Sequence, residues 1–292
     1  MDALLGEGHH VDVVDNLSTG SLSNLDDARR FGGMLSFAEL DVRDREIIAY
    51  VVRRAPDVVI HLAAQASVTA SLDDPVTDAD INLIGTLQVL EGARRSGASK
   101  VLFATSAAIY GDVDASELPI NEERRYDPQS PYGISKMAAI SYFHNYRRLH
   151  GLSWTALALA NVYGPRQNDK GEAGVVARFA ARLAAGERPT IFGDGNQTRD
   201  FVFVGDVAAA FMAAITNGSN RVINIGTGVS ISINELLAIM NRQLDRPMDA
   251  INAPARAGDL RASRLDPRLA REELGWSATT TLEEGLQRLL TP

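Results

Sequence analysis

The sequence predicts an α/β protein: a doubly wound parallel sheet of Rossmann type, lacking its first strand and glycine-rich loop, with a smaller C-terminal substrate domain. Three observations predict it. Short apolar runs ending in loop signals alternate with helical patterns through the first half of the chain, and buried strands separated by helices imply a parallel sheet covered on both faces. Asp15 closes the first apolar run, where dinucleotide-binding folds place a carboxylate. Tyr132 and Lys136 lie four residues apart at the head of a long helical stretch.

Element by element, the chain begins inside a helical pattern that Gly6-Glu7-Gly8 closes, and Val11–Val14 is the first strand. Asp41-Val42 fits a second strand end. Glu46–Arg54 has helical spacing, and Asp57–Leu62 is a strand running into the small residues Ala63-Ala64. Ile81–Ser96 reads as helix, Lys100–Thr105 as strand, Tyr132–Leu149 as helix and Trp154–Leu159 as strand. After Gly164-Pro165-Arg166 the pattern loosens into a helix at Val175–Ala185, a turn at Gly193-Asp194-Gly195-Asn196 and a strand at Phe201–Val204. The final helix is expected to start with Asp266 as N-cap and Pro267 at its first position. The expected domains are 1–165 for a dinucleotide, joined by returning segments near 200–228, and 166–292 mainly for substrate.

A dinucleotide fold opens with a strand, a glycine-rich turn and a helix whose N-terminus faces the pyrophosphate. No glycine cluster of that kind follows any strand here. The expectation is a reading truncated by roughly 15–20 residues, with the absent strand the central one of the sheet. Val11–Val14 and Val58–Leu62 should then flank a gap.

Composition narrows the function. The chain has 292 residues, 45% hydrophobic, enough for one large domain and a smaller companion. No run of 18 apolar residues exists, so no membrane partner is expected. The first ten residues have no basic n-region or cleavage site, and there is no cysteine; both fit a cytoplasmic protein. A net charge of −8 disfavours nucleic acid as a partner. His61 reads as a core histidine, the other four histidines have no ligand spacing, and no metal is expected.

The chemistry centres on Tyr132-Gly-Ile-Ser-Lys136, with Ser106 upstream at the end of a strand. Residues at i and i+4 share one helix face. An ammonium beside a phenol favours the phenolate, lowering a pKa that starts near ~10. The pair makes a general base, and a serine hydroxyl nearby could share the substrate's hydrogen bond. This equipment takes a proton off an alcohol while hydride leaves the same carbon. At the cofactor end, Asp15 suits the adenosine ribose hydroxyls of NAD and would repel a 2′-phosphate. Asp41 and Val42 could hold the adenine edge, and after Leu62 the third strand ends in Ala63-Ala64-Gln65, whose alanine side chains are small enough for close approach by the dinucleotide.

With these residues in view, the chain resembles the extended short-chain dehydrogenase/reductases, within the NAD-dependent epimerase/dehydratases, and is most similar to UDP-glucose 4-epimerases. The resemblance rests on Asp15-Asn16-Leu17-Ser18-Thr19-Gly20, His61-Leu62-Ala63-Ala64-Gln65-Ala66-Ser67-Val68 and Asn161-Val162-Tyr163-Gly164-Pro165-Arg166-Gln167. It extends through Gly193-Asp194-Gly195, Arg199-Asp200-Phe201-Val202 and Arg256-x-Gly258-Asp259. It implies NAD as cofactor, held also by Asn16, Ser18, Gly20 and Asn82. It implies a UDP-sugar substrate, with Asn161 at the diphosphate region and Val175, Val176 and Phe179 lining the nucleotide pocket. Thr190, Ile191 and Phe192 would then contact the uracil, Arg199 and Arg256 the diphosphate, and Asp259 a ribose or an arginine. Relatives pair two helices as a bundle, which implies a homodimer through Ile81–Ser96 and Tyr132–Leu149, with Ala138, Ala139 and Phe143 on the free surface.

The chain departs from the family at Gln65-Ala66, where some members have lysine, and at Leu159, often tyrosine. A 4,6-dehydratase needs an acid and a base where this chain has Ala107-Ala108. A UDP-glucuronate decarboxylase, a UDP-N-acetylhexosamine epimerase and a non-catalytic nucleotide-binding relative stay open.

Overall fold

The structure, a computed structural model, describes residues 1–168, 174–244, 247–255 and 260–290. Its strands are β1 (Val11–Asp15), β2 (Leu35–Glu39), β3 (Val58–His61), β4 (Lys100–Ser106), β5 (Ser153–Leu159), β6 (Asn161–Tyr163), β7 (Thr190–Phe192), β8 (Thr198–Arg199), β9 (Phe201–Phe203), β10 (Arg221–Ile225), β11 (Ile231–Ser232) and β12 (Ile251–Ala253). Its helices are α1 (Asp2–Gly6), α2 (Glu46–Arg54), α3 (Val68–Asp73), α4 (Pro75–Ala79), α5 (Gly85–Ser96), α6 (Pro131–His150), α7 (Val175–Ala184), α8 (Val204–Ala214), α9 (Ile233–Arg242), α10 (Arg268–Leu274) and α11 (Leu282–Leu290). The chain divides into two compact units. The first comprises residues 1–105, 130–157 and 211–222; the second comprises 106–129, 158–210 and 223–292.

In the first unit β1 pairs in parallel with β2, and among the described residues with no other strand, Val11 opposite Leu35 through Asp15 opposite Glu39. A separate sheet runs in the order β10-β5-β4-β3, with β3 and β4 parallel. Val11–Asp15 and Val58–His61 thus belong to different sheets.

Local chemistry explains the helices. Glu46 in the first turn of α2 and Arg53 and Arg54 in its last complement the helix dipole, and Ile47, Tyr50 and Val51 are its buried stripe. Gly97 and Gly151 adopt the left-handed conformation that ends α5 and α6. Lys100 is buried and donates to the carbonyls of Ala214 and Asn217, both at 2.6 Å. The core around α6 is aromatic: Phe143 packs on Phe103 at 5.0 Å and on Trp154 at 5.7 Å between centroids.

Four expectations are corrected. The helix expected from Ile81 begins at Pro75, because Asp74 caps it by accepting from the Thr77 amide at 3.0 Å. A π turn at Asp80–Ile84 interrupts the 3.6-residue repeat there, so only the part beyond it reads cleanly. The strand expected to reach Val204 stops at Phe203, and Val204 opens α8. The N-cap of α10 is Pro267, with the Asp266 carboxylate accepting from the Arg268 amide at 3.0 Å. That helix is not the final one. Thr281 and Glu284 form a reciprocal cap that starts α11, the Thr281 amide donating to Glu284 at 2.9 Å and the Glu284 amide to Thr281 at 3.3 Å. The fourth correction concerns α6: Ala139 and Phe143 are 0% and 1% exposed, so they are core, and Ala138 is half-buried.

In the second unit, Tyr163, Val176, Phe179, Phe201, Leu236, Met240 and Leu286 form the core. Around it β6 pairs with β9 and β7 with β12, both in parallel, and β8 pairs antiparallel with β11. No helix among the described residues is long and apolar enough to cross a membrane.

Candidate active site

The head of α6 is built to hold Tyr132. Ser130 caps it, accepting from the Gly133 amide at 3.2 Å, and Pro131 occupies the first turn. Tyr132 is half-buried there, where the helix dipole favours negative charge. One turn on, Lys136 is 2% exposed. Its Nζ donates to the Ala104 carbonyl at 3.0 Å and stands 4.7 Å above the Phe103 ring and 6.0 Å from the Tyr132 ring centroid. Burial pulls its pKa down from the ordinary lysine value to about 8, while the Asp78 carboxylate pushes it the other way. A cation at this distance stabilises a phenolate on Tyr132.

Behind this pair lies a polar network in the same unit. Asn82, 1% exposed, sits in the π turn, a distortion frequent at functional sites. Its Oδ1 accepts from the Gln65 amide at 2.9 Å. Its Nδ2 lies 3.0 Å from the Gln65 carbonyl, 2.9 Å from Asp78 Oδ1 and 3.2 Å from Ser135 Oγ. Ser135 Oγ donates in turn to the Tyr132 carbonyl at 3.0 Å. Asn82 therefore pins the loop after β3, which carries exposed Leu62 and half-buried Ala63 and Ala64, to α6. His61 is a core residue: it stacks on Phe103, lies 3.0 Å from Thr86 Oγ1, and is held neutral by burial, which lowers its pKa to about 3.

At the end of β1 the exposed Asp15 carboxylate accepts from the Leu17 amide at 2.7 Å, and Asn16 Oδ1 accepts from the Ser18 amide at 3.1 Å. A Cβ on Gly20 would sit 3.1 Å from Asp15 Oδ1, so glycine keeps the approach to that carboxylate open. Asp41 accepts from Arg43 Nε at 2.9 Å and from Asn16 Nδ2 at 2.8 Å; the Arg43 hydrogen bonds hold it well below the usual carboxylate range. Val42 packs against the start of α5, where a Cβ on Gly85 would meet it at 2.7 Å. An open carboxylate at a strand end, an open small-residue loop and a buried ammonium fit the adenosine and nicotinamide-ribose ends of a dinucleotide. No glycine-rich turn for its pyrophosphate stands among the described residues.

In the second unit, Ser106 closes β4 and accepts from the Ala108 amide at 3.2 Å. Asn161 is exposed, its amide donating to the Asp200 carbonyl at 2.9 Å. Val176, Phe179 and Ile191 lie in the core, 2–3% exposed, with Val175 packed at its edge and Thr190 and Phe192 half-buried. Arg199 is half-buried and donates to the Thr198 carbonyl at 2.7 Å. Its neighbour Asp200 is buried and accepts from the Thr227, Gly228 and Leu265 amides. Arg256 and Asp259 lie outside the described residues. The structure thus brings together Gln65, Asn82, Tyr132 and Lys136 in the first unit, and Asn161 with Arg199 on adjoining segments in the second. Sequence reasoning missed Asp78 and Ser135, although Asp78 stands at helical i,i+4 spacing from Asn82.

Residues 1–226 match the NAD dependent epimerase/dehydratase family. The chain is similar to the UDP-glucose 4-epimerase of Mycolicibacterium smegmatis, 42% identical over 99% of this chain and 92% of that one. Among solved structures it is similar to the Thermotoga maritima UDP-glucose 4-epimerase with UDP-glucose, at TM-score 0.94 and 41% identity, covering 99% of this chain and 92% of that one. The Thermus thermophilus UDP-glucose 4-epimerase complex with NAD gives TM-score 0.91 and 38% identity over the same shares.

Proposed function

Because the chain belongs to the NAD dependent epimerase/dehydratase family, we propose that it interconverts UDP-glucose and UDP-galactose by inversion at C4, with NAD as its cofactor. The observation that carries this reading is the buried Lys136 ammonium one turn from Tyr132 at a helix head. The curated and solved 4-epimerases at about 40% identity support the substrate class.

Bound NAD supplies reversible two-electron oxidation at the sugar carbon. The chain's own residues do the rest. Tyr132, as phenolate, accepts the proton of the sugar 4-hydroxyl and later returns it. Lys136 keeps that phenolate stable and reaches the nicotinamide ribose. Ser106 donates to the 4-oxygen, and Asp15 accepts from the adenosine ribose hydroxyls. Asn16, Ser18, Gly20, Asp41 and Val42 surround the adenosine, while Asn82 fixes the loop of Leu62, Ala63, Ala64 and Gln65. Affinity resides in the nucleotide: Arg199 and Arg256 grip the diphosphate, and Asn161, Val175, Thr190 and Phe192 border it. The sugar is held loosely, because inversion requires it to present both faces. Ala107 and Ala108 carry no exchangeable proton for C5 and C6, which separates this chemistry from dehydration.

On this reading residues 1–165 serve mainly the cofactor and 166–292 the nucleotide sugar, in a cytoplasmic enzyme. The test is conversion of UDP-galactose by the NAD-loaded protein, followed as UDP-glucose formed, with the bound nucleotide identified by native mass spectrometry. Retained UDP-sugar binding with no conversion and no NAD would replace the enzyme by a binding relative.

The same reading includes a homodimer built on α5 and α6 and the π turn before α5. Ile84, Ile134, Tyr142 and Leu149 are 40–60% exposed there, a run of large apolar side chains suited to a two-fold interface. Light scattering at micromolar concentration should give twice the chain mass; a monomer would remove this part.

A further inference from the structure

We propose that Asp78 is a positioning residue for the reaction: its buried carboxylate keeps the Lys136 ammonium charged beside Tyr132 and so sets the alkaline limit of activity. The inference rests on the proposed function and adds a residue to its site.

Asp78 is 1% exposed on α4. Its Oδ1 accepts from Asn82 Nδ2 and Gln65 Nε2, both at 2.9 Å, whereas its buried Oδ2 has no hydrogen-bond partner among the described residues. A buried carboxylate oxygen left unpaired is costly, and a cost of that kind asks for a compensating charge. Asn82 Nδ2 also reaches Ser135 Oγ, so the carboxylate is tied to α6 at the residue preceding Lys136.

Lys136 Nζ donates to the Ala104 carbonyl at 3.0 Å, which offers a dipole and no full charge, and Asp78 is the anionic group whose charge acts on it. His61 on β3 is neutral, held there by burial and by the Lys136 charge itself. Phe103 on β4 offers only its ring face. Tyr132 on the same helix is the group whose ionisation the ammonium serves. Burial draws the Lys136 pKa down to about 8, and the Asp78 charge opposes that fall. With Asp78 neutral, the ammonium loses its proton at lower pH, and Tyr132 loses its cation with it.

Asp78→Asn in the NAD-loaded protein should therefore move the alkaline limb of the kcat/KM profile down by about one pH unit or more, with activity near pH 6.5 affected least. The direct readout is [13Cε]lysine NMR. The chain has three lysines, Lys136→Arg assigns the signal, and its titration should move down in the same direction and extent. Asp78→Ser, smaller and neutral, should repeat the shift, and Asp78→Glu should restore most of it. A Lys136 titration unchanged in a folded neutral variant overturns the proposal. Should both neutral variants fail to fold, Asp78→Asn/Lys136→Met should fold again, because it removes both buried charges; continued misfolding overturns it. Tyr132→Phe separates the two levels: full activity in that variant removes the proposed function, whereas an inactive Tyr132→Phe beside an unshifted Asp78→Asn removes only the role of Asp78.

Discussion

Replacing Tyr132 with phenylalanine is expected to leave the fold and nucleotide binding intact while lowering kcat at least ~10²-fold, the scale of a positioned acid–base group. The helix head stays in place because Ser130 and Pro131 form it without the phenol oxygen, so the change removes the acid–base group from an intact helix. The loss corresponds to about 2.7 kcal/mol of transition-state stabilisation. The Lys136 ammonium has no proton-accepting capacity and cannot take over. Steady-state kinetics on NAD-loaded wild type and variant decide the matter, with bound NAD quantified in each. A variant within a few-fold of wild type would mean that another group carries the proton.

Phe143→Ala should cost about 3–5 kcal/mol of stability, the range for deleting a buried aromatic side chain. Phe143 is 1% exposed and lies against both Phe103 and Trp154. Truncation leaves a cavity walled by large rings that cannot collapse into it. The expected loss is a large part of a domain's usual ~5–15 kcal/mol. Urea unfolding followed by far-UV circular dichroism measures it. A change below about 1 kcal/mol would return Phe143 to the surface role its helical spacing suggested. Because Phe103 also lies under Lys136, a second consequence is expected: activity should fall further than the unfolded fraction accounts for.

Much of the first unit was legible because its signals are local. Glu46–Arg54 carries its own acidic start, basic end and apolar stripe, so periodicity finds it to the residue. Tyr132 and Lys136 share a face by helix geometry alone, although the Ser130 cap and Pro131 that begin α6 went unread. Where local signals conflict, reading failed. The π turn at Asp80–Ile84 shifts the phase of the apolar pattern, which hid six residues of helix behind Asp74. The Thr281–Glu284 box before α11 was present as a motif and went unread beside the more conspicuous Asp266-Pro267.

Residue order by itself determined the alternation of strand and helix, the Tyr132–Lys136 pair, the carboxylate at the end of β1 and membership of the family, since each depends on neighbours within a turn or on a motif. Tertiary structure alone decided which face of α6 is core. Ala139 and Phe143 could equally have been surface until Phe103 and Trp154 were placed against them. It alone put Val176, Phe179 and Ile191 inside the second unit, and it alone joined Asp78, Asn82 and Ser135, the last 53 residues from Asn82 in sequence. Burial and long-range electrostatics are properties of packed neighbours. Spacing along a chain specifies which side chains share a face, and only the packed fold specifies what that face meets.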